Sequence, residues 1–333
     1  MAFVVFVHSL PVLDNDWSTA RLVACFGKTL FFSANAMFFM MSGRFNLKEI
    51  PEGEGRLARF YRSKARSILL PVATLFILRT LWDGRDSLAH PVELLKALIL
   101  NTSGRYANME YWFLFTLIGF LLVTPFLAHM TTKLRGTELR VFVGIVTGLE
   151  LLEFLAVNLQ IPFGWTSVFA GFLLPYLLGP ALGTWLQGRI PTWFWASAAA
   201  SFAATVVLAV NGWEKGAYDI SPLYLLSSVG IYAALYKVGT SVGKSKIVQW
   251  AAQRSFTVYL VHGAVLAVLM KEMRSLPKLL GFESFFGFLA LATTALVISL
   301  ALATVLDLLV VHPLQRAFDK VVPVPTVRET DQS

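Results

Sequence analysis

The feature that most constrains the fold is a series of apolar runs, most of them close to twenty residues long, separated by short polar loops. A helix of about twenty apolar residues crosses the roughly 30 Å hydrocarbon core of a bilayer and satisfies its own backbone polar groups there. The chain is 56% hydrophobic and 14% charged, whereas a soluble domain carries about a quarter charged residues. The sequence therefore predicts an all-α, multi-pass transmembrane helical bundle.

Ten apolar runs can be delimited. The first, residues 1–13, is too short to cross a membrane unaided and reads as the second half of a truncated helix. The other nine are predicted to be spans, at 30–47, 67–82, 111–130, 139–157, 163–185, 192–210, 222–238, 256–270 and 285–311. We expect one membrane domain over residues 1–320 and a short polar, disordered tail over residues 321–333. The first residues lack a basic segment and a cleavage site, so we expect no cleavable signal peptide.

Positive charge is concentrated in every second loop. Residues 48–66, 131–140, 186–191 and 239–254 are basic, whereas the intervening loops are acid-balanced or nearly uncharged, with 271–284 ambiguous. Because cytoplasmic loops carry an excess of Lys and Arg, we expect the basic loops and the C-terminus on the cytoplasmic side of the cell membrane. The net charge of +8 then indicates orientation in a membrane, and no nucleic acid partner is expected.

The most basic segment lies between two apolar runs. Residues 56–66 contain no acid and five cations, Arg56, Arg59, Arg62, Lys64 and Arg66. Such a cluster is typical of a topology signal or a lipid-headgroup contact. It is also suited to an anionic cytosolic ligand, because several cations converge where the dielectric falls.

Ionisable side chains inside the apolar runs are costly and therefore candidates for function. His8 has the properties of a general base, but a histidine hydrogen-bonded between helices would give the same pattern. Glu150 and Glu153 lie three residues apart on one helix face, where they would line a polar path or pair with a cation. His262 is a further candidate, and Asp307 is expected to be structural.

Metal and nucleophile chemistry find little support in the sequence. Cys25 is a single cysteine, and the five histidines are scattered without ligand spacing, so no metal site is predicted. His90, His129 and His312 flank prolines or run ends and are expected to be interfacial. Ser42 lacks the glycine-flanked elbow of a serine nucleophile, and with its neighbour Gly43 it would allow close helix approach.

Five segments resemble, in order and spacing, the type-three integral-membrane acyltransferases, which O-acylate bacterial surface polysaccharides and related sugars. The matching segments are VVFVHS at 4–9, FFMMSGRF at 38–45, FYRSKARSILLP at 60–71, YWFLFTLIGFLLVTPFL at 111–127 and SFTVYLVH at 255–262. The resemblance implies acetyl-CoA, or another short acyl-CoA, as the cytoplasmic donor. It implies the hydroxyl of a carbohydrate or glycolipid acceptor at the cell envelope, and no metal.

The resemblance also implies roles for particular residues. His8 matches the catalytic histidine of the family's first span. The donor-binding positions are the basic Arg62, Lys64 and Arg66, expected at the CoA phosphates, and the small pair Ser42 and Gly43. His262 matches a frequent position without an assigned role.

One family feature is missing. The family carries an arginine on the first span with ten residues between it and the histidine, and counting back from His8 passes the first residue of this sequence. The expectation is either a beginning assigned too far downstream or an inactive relative. A third hypothesis, from another class, is a transporter for an amphipathic glycolipid, although no internal repeat supports it.

Overall fold

The computed structural model describes residues 1–10, 18–48, 55–83, 92, 95–96, 111–134, 136–161, 172–213, 221–274 and 285–324. Within these ranges the chain is helical and contains no strand, as the all-α prediction requires. The helices are α1 Ala2–Ser9, α2 Ser18–Phe32, α3 Ala34–Asn46, α4 Arg56–Lys64, α5 Leu70–Asp83, α6 Trp112–Lys133, α7 Thr137–Asn158, α8 Leu173–Trp185, α9 Thr192–Val210, α10 Pro222–Val242, α11 Lys246–Gln253, α12 Ser255–Arg274, α13 Phe285–Leu306 and α14 His312–Val321.

Two π-helical turns join helices end to end. Ala65–Leu69 connects α4 to α5, and Asp307–Val311 connects α13 to α14. Each pair is therefore one continuous rod, and the turn of the first rod packs against α14 of the second.

The structure is that of a multi-pass membrane protein. In the described part of the chain, seven helices are long and apolar enough to cross a bilayer: Arg21–Asn46, Arg56–Trp82, Trp112–Lys133, Thr192–Val210, Pro222–Val242, Ser255–Glu272 and Phe286–Val321. Three predicted runs fall outside this set. The run 1–13 is described only to residue 10 and contains the short α1, α7 carries several charged side chains, and the run 163–185 is described only from residue 172, where α8 follows.

Two predicted boundaries were wrong. The second span begins at Arg21, within α2, and not at residue 30, because Arg21 and Lys28 lower the hydropathy without ending the helix. The basic segment was predicted to be a loop. It is the amphipathic helix α4, which continues through the π turn into the third run.

The tightest packing joins α3 to α8. A side-chain carbon added at Gly43 would lie 1.8 Å from the carbonyl oxygen of Tyr176, and one added at Gly179 would lie 2.2 Å from that of Met40. The two backbones are therefore in direct contact, which only glycine permits. Phe39 is fully buried; the ring of Phe172 stacks on it at a centroid distance of 4.6 Å, and the ring of Phe113 packs against it at 4.7 Å with the planes inclined by 54°.

Candidate functional site

Two predicted site residues, 254 positions apart in the chain, meet inside the bundle. His8 is in the last turn of α1, and His262 is in α12, against which α1 packs. Their ring centroids are 5.2 Å apart, with the ring planes inclined by 46°. The side chain of His8 is exposed, whereas His262 is completely buried. The pair therefore combines an accessible imidazole with a shielded one directly beside it.

The hydrogen bonds of His262 fix its tautomer. Its Nδ1 lies 2.5 Å from the backbone carbonyl oxygen of Tyr259, one turn earlier. A carbonyl oxygen can only accept, so Nδ1 carries the proton and donates it, and Nε2 has a free lone pair. Nε2 is buried and has no hydrogen-bond partner among the described residues.

Arg79 of α5 is a third member of this site, and the sequence reasoning missed it. It lines a cavity together with Leu260 and Val261, the two residues that precede His262 in α12. The missed signal is a charged residue within an otherwise apolar run, ATLFILRTLW. The cavity has a volume of about 450 Å³ and lies between α5, α12 and α13, and its other described lining residues are apolar or, like Trp82, aromatic.

The predicted donor-binding cations lie on the α4 rod, and two of them are already paired. Arg62 and Arg66 each contact a different carboxylate oxygen of Asp319, on α14, at 2.8 Å. Arg62 also donates from Nε to the carbonyl oxygen of Val322 at 2.6 Å, and Gln315 donates to the carbonyl oxygen of Arg66 at 3.2 Å. The end of the α13–α14 rod thus lies across the basic helix.

Lys64 connects the basic helix to the predicted Ser42–Gly43 pair. Its ammonium group donates to the side-chain oxygen of Asn46, and the Asn46 amide donates to the carbonyl oxygen of Ser42 at 2.7 Å. Gly43 itself is buried in the contact with α8. The structure thus brings Lys64 to the end of α3 and gives Gly43 the close-approach role. A contact of Ser42 or Gly43 with the donor stays a prediction.

The remaining candidates are the acids Glu150, Glu153 and Asp307. Glu150 accepts the backbone N–H of Leu174 at 2.9 Å, in the first turn of α8, where helix N–H groups lack intrahelical partners. Glu153 is half-buried on the same helix. Asp307 accepts the hydroxyl of Thr257 at 2.6 Å and is buried, as expected of a structural acid. Glu150 therefore serves the fold of α8, whatever else it does.

The structure describes two of the three remaining histidines. His129 and His312 are exposed near helix ends, and His90 lies outside the described residues. Among the residues that the structure describes, no three His, Cys, Asp or Glu side chains are grouped as a metal site would need.

The chain was compared with known proteins in three ways. A family model described as an acyltransferase domain matches residues 1–307. No curated protein and no solved structure matches the chain. The match covers both histidines, Arg79 and the basic helix, and it ends before α14 begins.

Proposed function

The chain belongs to the integral-membrane acyltransferase family, and from this premise we propose that it moves an acetyl or other short acyl group from cytoplasmic acyl-CoA to a hydroxyl of a cell-surface sugar or polysaccharide precursor. His8 is the general base, and the α4 rod binds the CoA phosphates. The basic helix and the C-terminus face the cytoplasm, in line with the distribution of Lys and Arg.

The observation that carries this proposal is the placement of His8. The exposed imidazole of His8 can meet a substrate, and the buried ring of His262 lies directly beside it. Imidazole exchanges protons near neutral pH. An exposed position on a short helix within an acyltransferase family is what a base for a substrate hydroxyl requires.

The reaction balances with these parts. His8 takes the proton of the acceptor hydroxyl while the hydroxyl oxygen attacks the thioester carbonyl carbon. A carbon–oxygen bond forms, the carbon–sulfur bond breaks, and the CoA thiolate leaves. The imidazolium of His8 returns the proton to the thiolate, so the products are the O-acyl ester and free CoA. General base catalysis of this kind contributes about 10²- to 10⁴-fold in rate.

Acyl-CoA must extend from the basic helix to His8, and the length of the rod sets that distance. Arg66 and Arg79 lie on one continuous rod, and their separation of thirteen positions corresponds to about 20 Å of helix rise. Arg79 lines the same cavity as Leu260 and Val261, the two residues that precede His262. With the phosphates at Arg62 and Arg66, the slender pantetheine arm would run along α5 to bring the thioester to His8. The anionic phosphates would stay outside the hydrocarbon, where charge is least costly.

The test uses bacterial membranes that contain the full chain and [acetyl-¹⁴C]acetyl-CoA. We expect base-labile label in envelope carbohydrate, with release of free CoA, and a loss of about 10²- to 10⁴-fold in His8→Ala. His129→Ala is the matched control, because it removes another exposed histidine outside the site. Retained transfer in His8→Ala would refute the assignment of the base.

A second measurement tests the donor site alone. Acetyl-CoA binding to the purified protein should weaken in Arg62→Ala/Arg66→Ala and stay unchanged in Arg140→Ala/Lys246→Ala, which removes the same charge from exposed positions. Equal binding in both double variants would refute the donor site. Binding without transfer would favour the inactive relative, and neither binding nor transfer would favour the transporter.

A further inference from the structure

We propose that His262 is a positioning residue that orients His8, by accepting an N–H hydrogen bond from the His8 ring at its own Nε2. The inference rests on the proposed role of His8 as base. It adds a second histidine, on a different helix, whose contribution is made through His8 and not by contact with the substrate.

The first argument is the free lone pair. Because Nδ1 of His262 donates to the carbonyl oxygen of Tyr259, Nε2 is an acceptor. It is fully buried and lacks a partner in the described structure. Buried polar atoms in native proteins nearly always have a hydrogen-bond partner. We therefore look for the donor to Nε2 among the neighbouring side chains.

The second argument is distance. Two imidazole rings joined edge to edge by a nitrogen–nitrogen hydrogen bond of about 3 Å have centres roughly 5 Å apart, and the centroids of His8 and His262 are separated by 5.2 Å. The rings therefore already have the spacing of a bonded pair. Rotation of the exposed His8 ring is sufficient to direct an N–H at Nε2, since catalytic hydrogen bonds often become aligned only when substrate is bound.

The third argument is chemical. A base is oriented and kept in the correct tautomer when a third group accepts the hydrogen on its other ring nitrogen. With one nitrogen of His8 donating to His262, the other carries the lone pair and faces the accessible side. The same bond stabilises the imidazolium that forms when His8 takes the hydroxyl proton. Arg79, which lines a cavity with the two residues that precede His262, is the competing donor for Nε2.

The test compares two amide variants, each of which reproduces the function of one ring nitrogen of His262. In His262→Gln the side-chain oxygen replaces Nε2 as an acceptor, whereas in His262→Asn the amide N–H replaces Nδ1 and keeps only the bond to Tyr259. We expect the Gln variant to retain most of the kcat. We expect the Asn variant to lose about 10- to 100-fold in kcat, the loss seen when the outer partner of a metal-bound histidine is removed, with the KM for acetyl-CoA unchanged.

Two outcomes would overturn the inference. Full activity in His262→Asn would mean that Nε2 is not needed. Equal losses in both variants, with lowered melting temperatures, would mean that His262 only holds the fold. His8→Ala is run beside them, since transfer that survives in that variant refutes the base itself and not its orientation.

NMR spectroscopy tests the hydrogen bond directly and does not require that transfer be detected. In ¹⁵N-histidine-labelled protein with CoA bound, we expect a through-bond coupling between ring nitrogens of His8 and His262 that is absent in His8→Ala. If no such coupling is found, or if Nε2 is coupled to the guanidinium of Arg79 in protein labelled also at arginine, the inference is wrong.

Discussion

Replacement of Gly43 by alanine tests the close backbone contact between α3 and α8. A Cβ atom at position 43 would lie 1.8 Å from the carbonyl oxygen of Tyr176 and 2.8 Å from its carbon. Both are backbone atoms, which cannot rotate away as a flexible side chain would. The helices α3 and α8 would have to separate by well over an ångström, at the expense of the aromatic packing around them.

The magnitude follows from the geometry. Inserting one carbon into a well-packed interior costs about 1–3 kcal/mol, and the backbone clash places Gly43→Ala near the upper end. With about 2–4 °C of melting temperature for each kcal/mol in a large domain, we expect a loss of roughly 5–10 °C. The measurement is thermal unfolding of the purified protein in detergent, followed by tryptophan fluorescence.

Gly144→Ala is the matched control. It also adds one carbon to a helix, but nothing lies within 4 Å of the added atom. Alanine favours a helix over glycine by up to about 1 kcal/mol, so the control should melt at an equal or higher temperature. A second glycine, Gly179, faces Met40 across the same contact. Because one clash already separates the helices, Gly43→Ala/Gly179→Ala should lose less than the sum of the single variants. Equal melting of Gly43→Ala and Gly144→Ala would refute the reasoning.

Two further predictions concern acids. Asp319→Asn should strengthen binding of acetyl-CoA in titration calorimetry, because both arginines of the basic helix are released to the phosphates; weaker binding would show instead that Asp319 holds them in place. Glu150→Ala should lower the free energy of unfolding by about 1–3 kcal/mol, since the buried N–H of Leu174 loses its acceptor. Glu150→Gln, which keeps an acceptor oxygen, should lose clearly less, and identical losses in the two variants would argue against this hydrogen bond.

Hydropathy predicted the helices best where no charge interrupts them. The run 192–210 has the bounds of α9, Thr192–Val210. Where charges occur inside a helix, the same reasoning placed its boundary too late, as at Arg21 and Lys28 in α2. The basic segment was expected to be a loop for the same reason, because a charged, amphipathic helix and a polar loop have similar mean hydropathy.

The site was predicted in part. His8 and His262 were each identified as ionisable groups in apolar surroundings, but their pairing depends on the packing of α1 on α12, which no local pattern encodes. Arg79 was missed because it lies three residues before Trp82, near the run's end, where a long cationic side chain is expected to reach the interface. The pairing of Asp319 with the basic helix joins positions more than 250 residues apart.

The two π turns have a consequence for how the molecule tolerates insertion and deletion. A π turn is an α-helix that carries one additional residue, and each residue of an α-helix advances the side chains by about 100° around the axis. The extra residue within Ala65–Leu69 therefore sets the angular phase between Arg62 on one side and Arg79 on the other. Deletion of a single residue there would leave the segment helical, but it would rotate α4, and Arg62 with it, by about 100° relative to α5. The number of residues in this turn therefore sets the direction of Arg62 relative to Arg79.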